Sequence, residues 1–335
     1  MNFTKHITLT AASALIAGAM AWHPASAAEF TMKIGLGTFK DVQHQWSDWM
    51  KEAIEARSKG RIEVKVFTRS QLGNITRMVE GVQLGTIESV VAPMDFFVGI
   101  DPKFGVFSIP TLFKNKAAAA KALQDPELNK EIRTIGLDKN VVPVSVFPHS
   151  TAHYFAKNPI RRLEDFKGKK MRVNATPAER ERMRRLGGTA VPMPLSEVVP
   201  GLQRGVIDGT MSGTVVYVVF GFAKVAKTLT VTNDSLILSA GLVGSKWLAK
   251  LPADLQKIVI EEGNKLQART TAFSDKSENF MINKWKSSGG ELVELPAADQ
   301  KILQSKLASV GEDVTKSNPS LNAFYKRVHA TGKKY

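Results

Sequence analysis

Two stretches 120 residues apart, Glu80-Gly-Val-Gln-Leu-Gly-Thr-Ile-Glu88 and Pro200-Gly-Leu-Gln-Arg-Gly-Val-Ile-Asp208, carry the same phrase. Each ends a helix on an apolar-Gln step, supplies a glycine suited to the left-handed C′ position, and opens a strand with an apolar pair. The sequence before the first copy is of the same kind. Arg61–Phe67 alternates as a strand, and the amphipathic helix Trp46–Ser58, ended by Gly60, precedes it. Further strands are expected at Thr31–Leu36, Ser89–Ala92, Val141–Phe147 and Leu236–Leu242. Helices are expected over Lys114–Leu137, from Pro252 to about Lys286, and in shorter pieces from Ala297 to His329. Strands and helices alternating at this spacing indicate α/β units with largely parallel sheets, and the repeat supports two related lobes.

The first 27 residues read as a leader. Lys5 and His6 give a basic start, Ile7–Trp22 is an apolar Ala-rich run, and Ala25-Ser-Ala27 is a small-residue cleavage site. A membrane anchor is the competing reading, but the run is short for a span and ends in a cleavage pattern. About 300 residues follow, comfortable for two domains. The chain has no cysteine, which removes disulfides, thiol catalysis and thiolate metal ligands. Its net charge of +15 raises nucleic acid, membrane surfaces and acidic small molecules as partners. Export, and the lack of a zinc-finger, RNP or basic-zipper pattern, argue against nucleic acid.

The charge is densest from Arg161 to Gly188, with ten Lys/Arg against four Asp/Glu. Part of it is a solvated helix face, since Glu181 and Arg185 are spaced to pair across one turn. Within this segment Gly168–Asn174 alternates as a strand, placing Lys170, Arg172 and Asn174 on one face. Thr176-Pro-Ala-Glu179 then reads as a capping box with Pro177 at the first helical position. A guanidinium beside a helix N-terminus forms a socket for a carboxylate or phosphate, so Arg172 is a candidate anion ligand. A solvated or salt-bridged arginine is the alternative. Catalysis finds no support. His149 and His153 have helical spacing but lack the Glu of a zinc-protease motif, and their Pro148-flanked setting reads as strand or loop. Gly209-x-x-Ser-Gly213 does not have the spacing of a nucleophile elbow, and no dinucleotide or phosphate loop occurs. No cofactor and no metal are expected.

The order of motifs resembles the solute-binding proteins of tripartite ATP-independent periplasmic (TRAP) transporters. The motifs are Ser70-Gln-Leu-Gly73, Ile109-Pro-x-Leu-Phe113, Leu163-x-Asp-Phe-Lys-Gly168, Lys170-Met-Arg-Val173, Gly187-Gly-x-x-Val-Pro-Met193, Leu202-Gln-x-Gly-Val-Ile-Asp-Gly209 and Trp247-x-x-Leu-Pro252. The resemblance spans essentially all of the chain after the leader. It implies a two-lobed, type II-like α/β fold with mixed sheets flanked by helices and a long hinge-spanning helix. Residues 28–149 plus 238–277 would form lobe I, and 150–237 plus 278–335 lobe II. It further implies a periplasmic, monomeric protein that closes over an organic acid and delivers it to the small and large membrane subunits. An extracytoplasmic sensor or adaptor of the same fold is the second reading.

In this family the arginine at the position of Arg172 binds the solute carboxylate bidentately. Sites also draw on the loop after the first strand, here Thr38–Gln45 with Gln43 and Gln45, and on the loop of Pro93, Met94 and Asp95. Two departures stand out. Ser212 occupies the place of a ligand-contacting Asn, and Ala152 stands near a second Arg, with His149 and His153 the nearest polar replacements. Asn174 joins Arg172 on the strand face. One fixed cation favours a monocarboxylate or a bulkier acid over a C4 dicarboxylate. Phe96, Phe97, Tyr217 and Phe220 are candidate apolar walls, and each is also a candidate for plain core.

Overall fold

The computed structural model of the chain describes residues 28–174 and 176–335. The leader expected over 1–27 lies outside the described residues. Nine strands run in chain order: β1 (Phe30–Leu36), β2 (Ile62–Phe67), β3 (Ser89–Pro93), β4 (Val141–Ala156), β5 (Lys170–Val173), β6 (Thr189–Pro192), β7 (Gly209–Gly213), β8 (Thr228–Gly244) and β9 (Glu291–Glu294). They form one mixed sheet in the order β2-β1-β3-β8-β4-β7-β5-β6, with β9 also pairing β8. β1 lies parallel between β2 and β3, and β5 lies parallel between β6 and β7. These two parallel units flank an antiparallel ladder of two long strands, β4 with 16 residues and β8 with 17.

The repeated phrase is one structural device built twice. Helices Ile75–Leu84 and Val198–Arg204 both stop at a left-handed glycine, Gly85 at φ 84° and Gly205 at φ 72°, where an L side chain would be strained. In the first copy the amides of Thr86 and Ile87 donate to the Gly81 carbonyl, and in the second those of Val206 and Ile207 donate to Gly201. The closing acids correspond as well. Glu88 Oε2 accepts from the Lys33 amide at 2.8 Å, and Asp208 Oδ2 accepts from the Lys170 amide at 2.7 Å. Each acid thereby sets the register of its strand, Ile34 opposite Ser89 in one copy and Met171 opposite Gly209 in the other. On this register the counterpart of Arg172 is Gly35. A Cβ at Gly35 would lie 2.6 Å from Met78 Sδ, so a side chain there would require Met78 to move.

Several elements differ from the sequence expectation. The first helix starts four residues early, at Val42, because Asp41 caps it by accepting from the His44 amide at 3.0 Å. Gln43 and Gln45 are therefore on its first turn and not in a loop. The helix expected over Lys114–Leu137 is two helices, Lys116–Gln124 and Pro126–Ile132. Asp125 caps the second, and Pro126 sits at its first position, where its missing N–H costs nothing. β4 continues to Ala156 and β8 begins at Thr228, well beyond the apolar runs, because each is paired on both sides and the ladder satisfies its backbone. The long helix, Ala253–Ser287, matches its expected bounds and spans about 50 Å. Leu255, Val259 and Leu266 join the core under β1 and Trp46, whereas Met281 and Trp285 join the cluster of Phe155 and Tyr217.

Candidate functional site

The carboxyl ends of β1, β3, β5 and β7 converge on one cavity, the place where open α/β sheets put their ligand sites. Counted out to its mouth, and so including open solvent, it encloses ≈ 520 Å³ of empty space. The first parallel unit contributes Thr38, Gln43 and Asp95. The second contributes Arg172, Asn174, Glu179 and Ser212, and His149 reaches in from β4. The walls are otherwise apolar, formed by Ile75, Pro93, Phe96, Leu195, Met211, Val216 and Ile237.

Arg172 lies on β5 with only 2% of its surface exposed. Its Nε donates to the Met193 carbonyl at 2.9 Å, which fixes the plane of the guanidinium. Its Nη2 is buried and has no hydrogen-bond partner among the described residues. Burial lowers its pKa from the ordinary value, against the opposing pull of Glu179 and Asp95. An arginine keeps its proton in such a setting, so the site holds a poised, incompletely bonded cation.

The helix beside it, Pro177–Arg185, does begin with a closed capping box, and this revises the socket expected from the sequence. Thr176 Oγ1 accepts from the Glu179 amide at 3.1 Å, while Glu179 Oε2 accepts from the amides of Asn174 at 3.1 Å and Thr176 at 3.3 Å. Glu179 is thus the anion at this helix end: it takes the Asn174 and Thr176 amides, and Thr176 takes the Glu179 amide of the first turn. The pairing expected of Glu181 and Arg185 is present, at 2.7 Å.

Asp95 faces Arg172 from the other parallel unit, on the short helical turn Met94–Phe97 that follows β3. Its Oδ2 accepts from Asn174 Nδ2 at 2.7 Å, a hydrogen bond that links the two units across the cavity. Its Oδ1 and the Asn174 Oδ1 are both buried and unpartnered among the described residues. Burial, and then the charge of Glu179, push the Asp95 carboxyl up to about 7, while Asn174 and Arg172 pull the other way. Beneath these groups Asp41 holds His149 Nε2 at 3.0 Å and accepts from Thr38 Oγ1 at 2.6 Å. Gln43 Nε2 donates to Ser239 Oγ at 2.9 Å and lies 3.3 Å from His149 Nδ1. Burial alone would raise the Asp41 pKa. The bond and charge of His149, with Thr38 and the His44 amide, outweigh it and hold the group below its usual range.

Six of the ten residues singled out from the sequence meet at this cavity: Arg172, Asn174, Ser212, His149, Gln43 and Asp95. Four do not line it. Met94 packs into the core, and Gln45 lies two positions from Gln43 and so points to another side of the helix. His153 is buried with neither ring nitrogen bonded among the described residues, and burial lowers its pKa. Tyr217 donates its hydroxyl to the carbonyls of His153 at 2.6 Å and Thr210 at 3.2 Å, a satisfied core tyrosine. Of the candidate walls, Phe96 lines the cavity, whereas Phe97 and Phe220 pack elsewhere. Met211, Ile237 and Leu195 escaped sequence reasoning because an apolar residue lining a cavity looks like any core residue. Among the described residues no group of three or more His, Asp or Glu side chains is placed to hold a metal ion.

Comparison with known proteins agrees with this architecture. The family model for bacterial extracellular solute-binding protein, family 7 (DctP) matches residues 38–318. The chain is 25% identical over 283 residues to the 2,3-diketo-L-gulonate-binding periplasmic protein YiaO of Escherichia coli, covering 83% of this chain and 85% of that protein. It is 27% identical over 271 residues to the C4-dicarboxylate-binding periplasmic protein DctP of Rhodobacter capsulatus, covering 79% and 80%. In structure it is similar to a TRAP periplasmic solute-binding protein of Xanthobacter autotrophicus with bound β-D-galacturonate. That likeness has a TM-score of 0.82 at 25% identity and covers 89% of this chain and 99% of that one. These neighbours share a two-lobed fold, and their family consists of binding proteins, not enzymes. The chain belongs to bacterial extracellular solute-binding protein family 7, the periplasmic binding proteins of TRAP transport.

Proposed function

We propose that this protein captures a carboxylate in the cavity around Arg172 by closure of two lobes, and delivers it to the small and large TRAP membrane subunits without chemical turnover. The observation that carries the reading is the buried Arg172 Nη2, a cation donor with no partner among the described residues, at a cavity lined from both parallel units. A carboxylate would complete its fork with charge-assisted hydrogen bonds. Gln43, Asp95, His149, Asn174 and Ser212 complete the polar lining. The lobes are residues 28–149 plus 238–277 and residues 150–237 plus 278–335, the leader over 1–27 being removed on export to the periplasm, where the protein acts as a monomer. The register shift between Pro148 and Ser150, opposite Leu238 and Ile237, supports a hinge at those boundaries. With Arg172 the one arginine lining the cavity among the described residues, the site favours a monocarboxylate or a bulkier, less charged acid over a C4 dicarboxylate. The relatives divide in class: galacturonate in one bound neighbour and 2,3-diketo-L-gulonate in the name of a relative are monocarboxylates, whereas another relative is named for C4 dicarboxylates. A thermal-shift screen of organic acids tests the reading, since a ligand that binds only the native state raises the melting temperature by mass action. An uncharged amide analogue that stabilises as strongly as its parent acid would contradict it.

A further inference from the structure

Side-chain hydrogen bonds tie β4 to the long helix Ala253–Ser287 on both sides of the strand's irregular stretch. On the near side Ser145 Oγ donates to the Gly263 carbonyl, and the Val146 amide donates to Gln267 Oε1 at 3.3 Å. Beyond the register shift between Pro148 and Ser150, and before a second one between Thr151 and His153, the tie is Glu278. Its Oε1 accepts from the Thr151 amide at 2.6 Å. Its Oε2 accepts at 2.5 Å from Nζ of Lys116, the first residue of the helix Lys116–Gln124. Both charged side chains are nearly buried, Lys116 at 13% exposure and Glu278 at 10%. The core divides at the same point. Phe147 and Leu266 belong to one apolar cluster, Phe155 and Met281 to another. A small cavity lined by Ser150, Thr214 and Ser277 lies between strand and helix here, and the Ser150 and Thr214 hydroxyls are buried without a partner among the described residues. Polar bonds, not close packing, hold this junction.

Resting on the reading that two lobes close over the Arg172 cavity, we infer that Glu278 is a positioning residue at the hinge, which sets the balance between open and closed forms without touching the solute. On the proposed bounds Lys116 belongs to lobe I and Thr151 to lobe II, and one carboxylate holds both. A rotation of one lobe on the other at this point parts one bond or the other. Neither Lys116 nor Glu278 lines the ligand cavity. The tie is made in the arrangement in which Asp95 and Asn174 bridge that cavity, so it favours the closed form. A nearly buried ion pair is screened less by solvent than a surface pair, so its loss is felt. Glutamine cannot replace Glu278. Its one carbonyl oxygen serves Thr151 or Lys116, and its amide then meets the remaining donor with a donor. Lys116 is not stranded by the change, because its Nζ also lies 2.7 Å from Asp275.

The chain has no cysteine, so two introduced ones report the lobe separation. Thr76 and Ser196 are exposed, and each follows a residue of the cavity wall, Ile75 from the first parallel unit and Leu195 from the second. Spin labels on Thr76→Cys and Ser196→Cys, read by pulsed electron resonance on the unliganded protein, give the distance across the mouth. In Glu278→Gln the ratio of the longer to the shorter separation is expected to rise at least about tenfold, and the Thr151 amide should exchange its hydrogen faster. Lys116→Met should lengthen the separation in the same way, whereas Lys116→Arg, which keeps the pair, should not. These two lysine variants carry the test should Glu278→Gln fail to fold. Lys116→Arg behaving as Lys116→Met refutes the tie. If Glu278→Gln and Lys116→Met leave the separation unchanged, while Asn174→Ala or the acid giving the largest thermal shift alters it, the inference about Glu278 is wrong and lobe closure stands. A separation that none of these variants and no such acid alters overturns lobe closure and the inference with it.

Discussion

Replacing Arg172 with lysine keeps the buried positive charge and removes the geometry. In the structure the Arg172 Nε is held by the Met193 carbonyl while Nη2 faces the cavity, so one guanidinium serves a structural bond and a ligand bond at once. A lysine ammonium is a point charge on a flexible stem and cannot span both positions in one plane. The variant gives up one charge-assisted hydrogen bond, about 1.5–3 kcal/mol. At 1.4 kcal/mol per decade this is roughly a 10- to 150-fold rise in Kd. Stability should change far less, because a cation still opposes Asp95 and Glu179. The melting temperature of the unliganded variant is expected within about 2 °C of wild type, near 1 kcal/mol for a chain of this size. Calorimetric titration of the acid that gives the largest thermal shift reads the affinity, and a melt without ligand reads the fold. A Kd within twofold of wild type, in a variant that melts normally, would refute the assignment of Arg172 to the site.

Asp95, pushed up to about 7 from an ordinary 3.8, binds a proton in the folded protein that the unfolded chain has released across that interval. Its contribution is therefore present below about pH 4 and lost as pH rises through 7, at up to about 1.4 kcal/mol per unit. Asp95→Asn removes the titration, so its stability relative to wild type should climb from pH 5 to pH 7 and then level off. A flat difference in denaturant midpoints over that range would contradict the burial of this carboxyl. Asp41 both caps the helix Val42–Arg57 and holds His149. Asparagine retains the cap and alanine does not, so Asp41→Ala should be about 1 kcal/mol less stable than Asp41→Asn in urea unfolding. Equal losses would show that the cap carries little. Arg182 and Asp234 are a fully buried pair, both side chains at 0% exposure, and Arg182 also donates to Ser235. Arg182→Met strands the aspartate and should cost about 3–5 kcal/mol. A loss under 1 kcal/mol by the same assay would mean that Asp234 finds its proton or another partner without strain.

Much of the fold was written locally. The helix-glycine-strand phrase, the capping box at Thr176 and the alternation through Arg172 each depend on residues within a few positions of one another, and each forms as read. Such signals survive in a bare sequence because the backbone partners they specify are near in the chain. The lengths of β4 and β8 do not depend on local signals. The polar run from His149 to His153 reads as strand or loop by itself and becomes strand because β7 and β8 pair with it.

The site divides along the same line. Sequence alone marked Arg172, and the strand face brought Asn174 with it. That Glu179 fills the helix end, that Asp95 comes from 77 positions upstream to face Arg172, and that Asp41 holds His149 were decided only when β1, β3, β5 and β7 brought their ends together. The physical reason is the range of the forces involved. Caps, turns and alternation act between neighbours in the chain. Desolvation and charge pairing act between neighbours in space, and those neighbours exist only once the sheet has closed around the cavity.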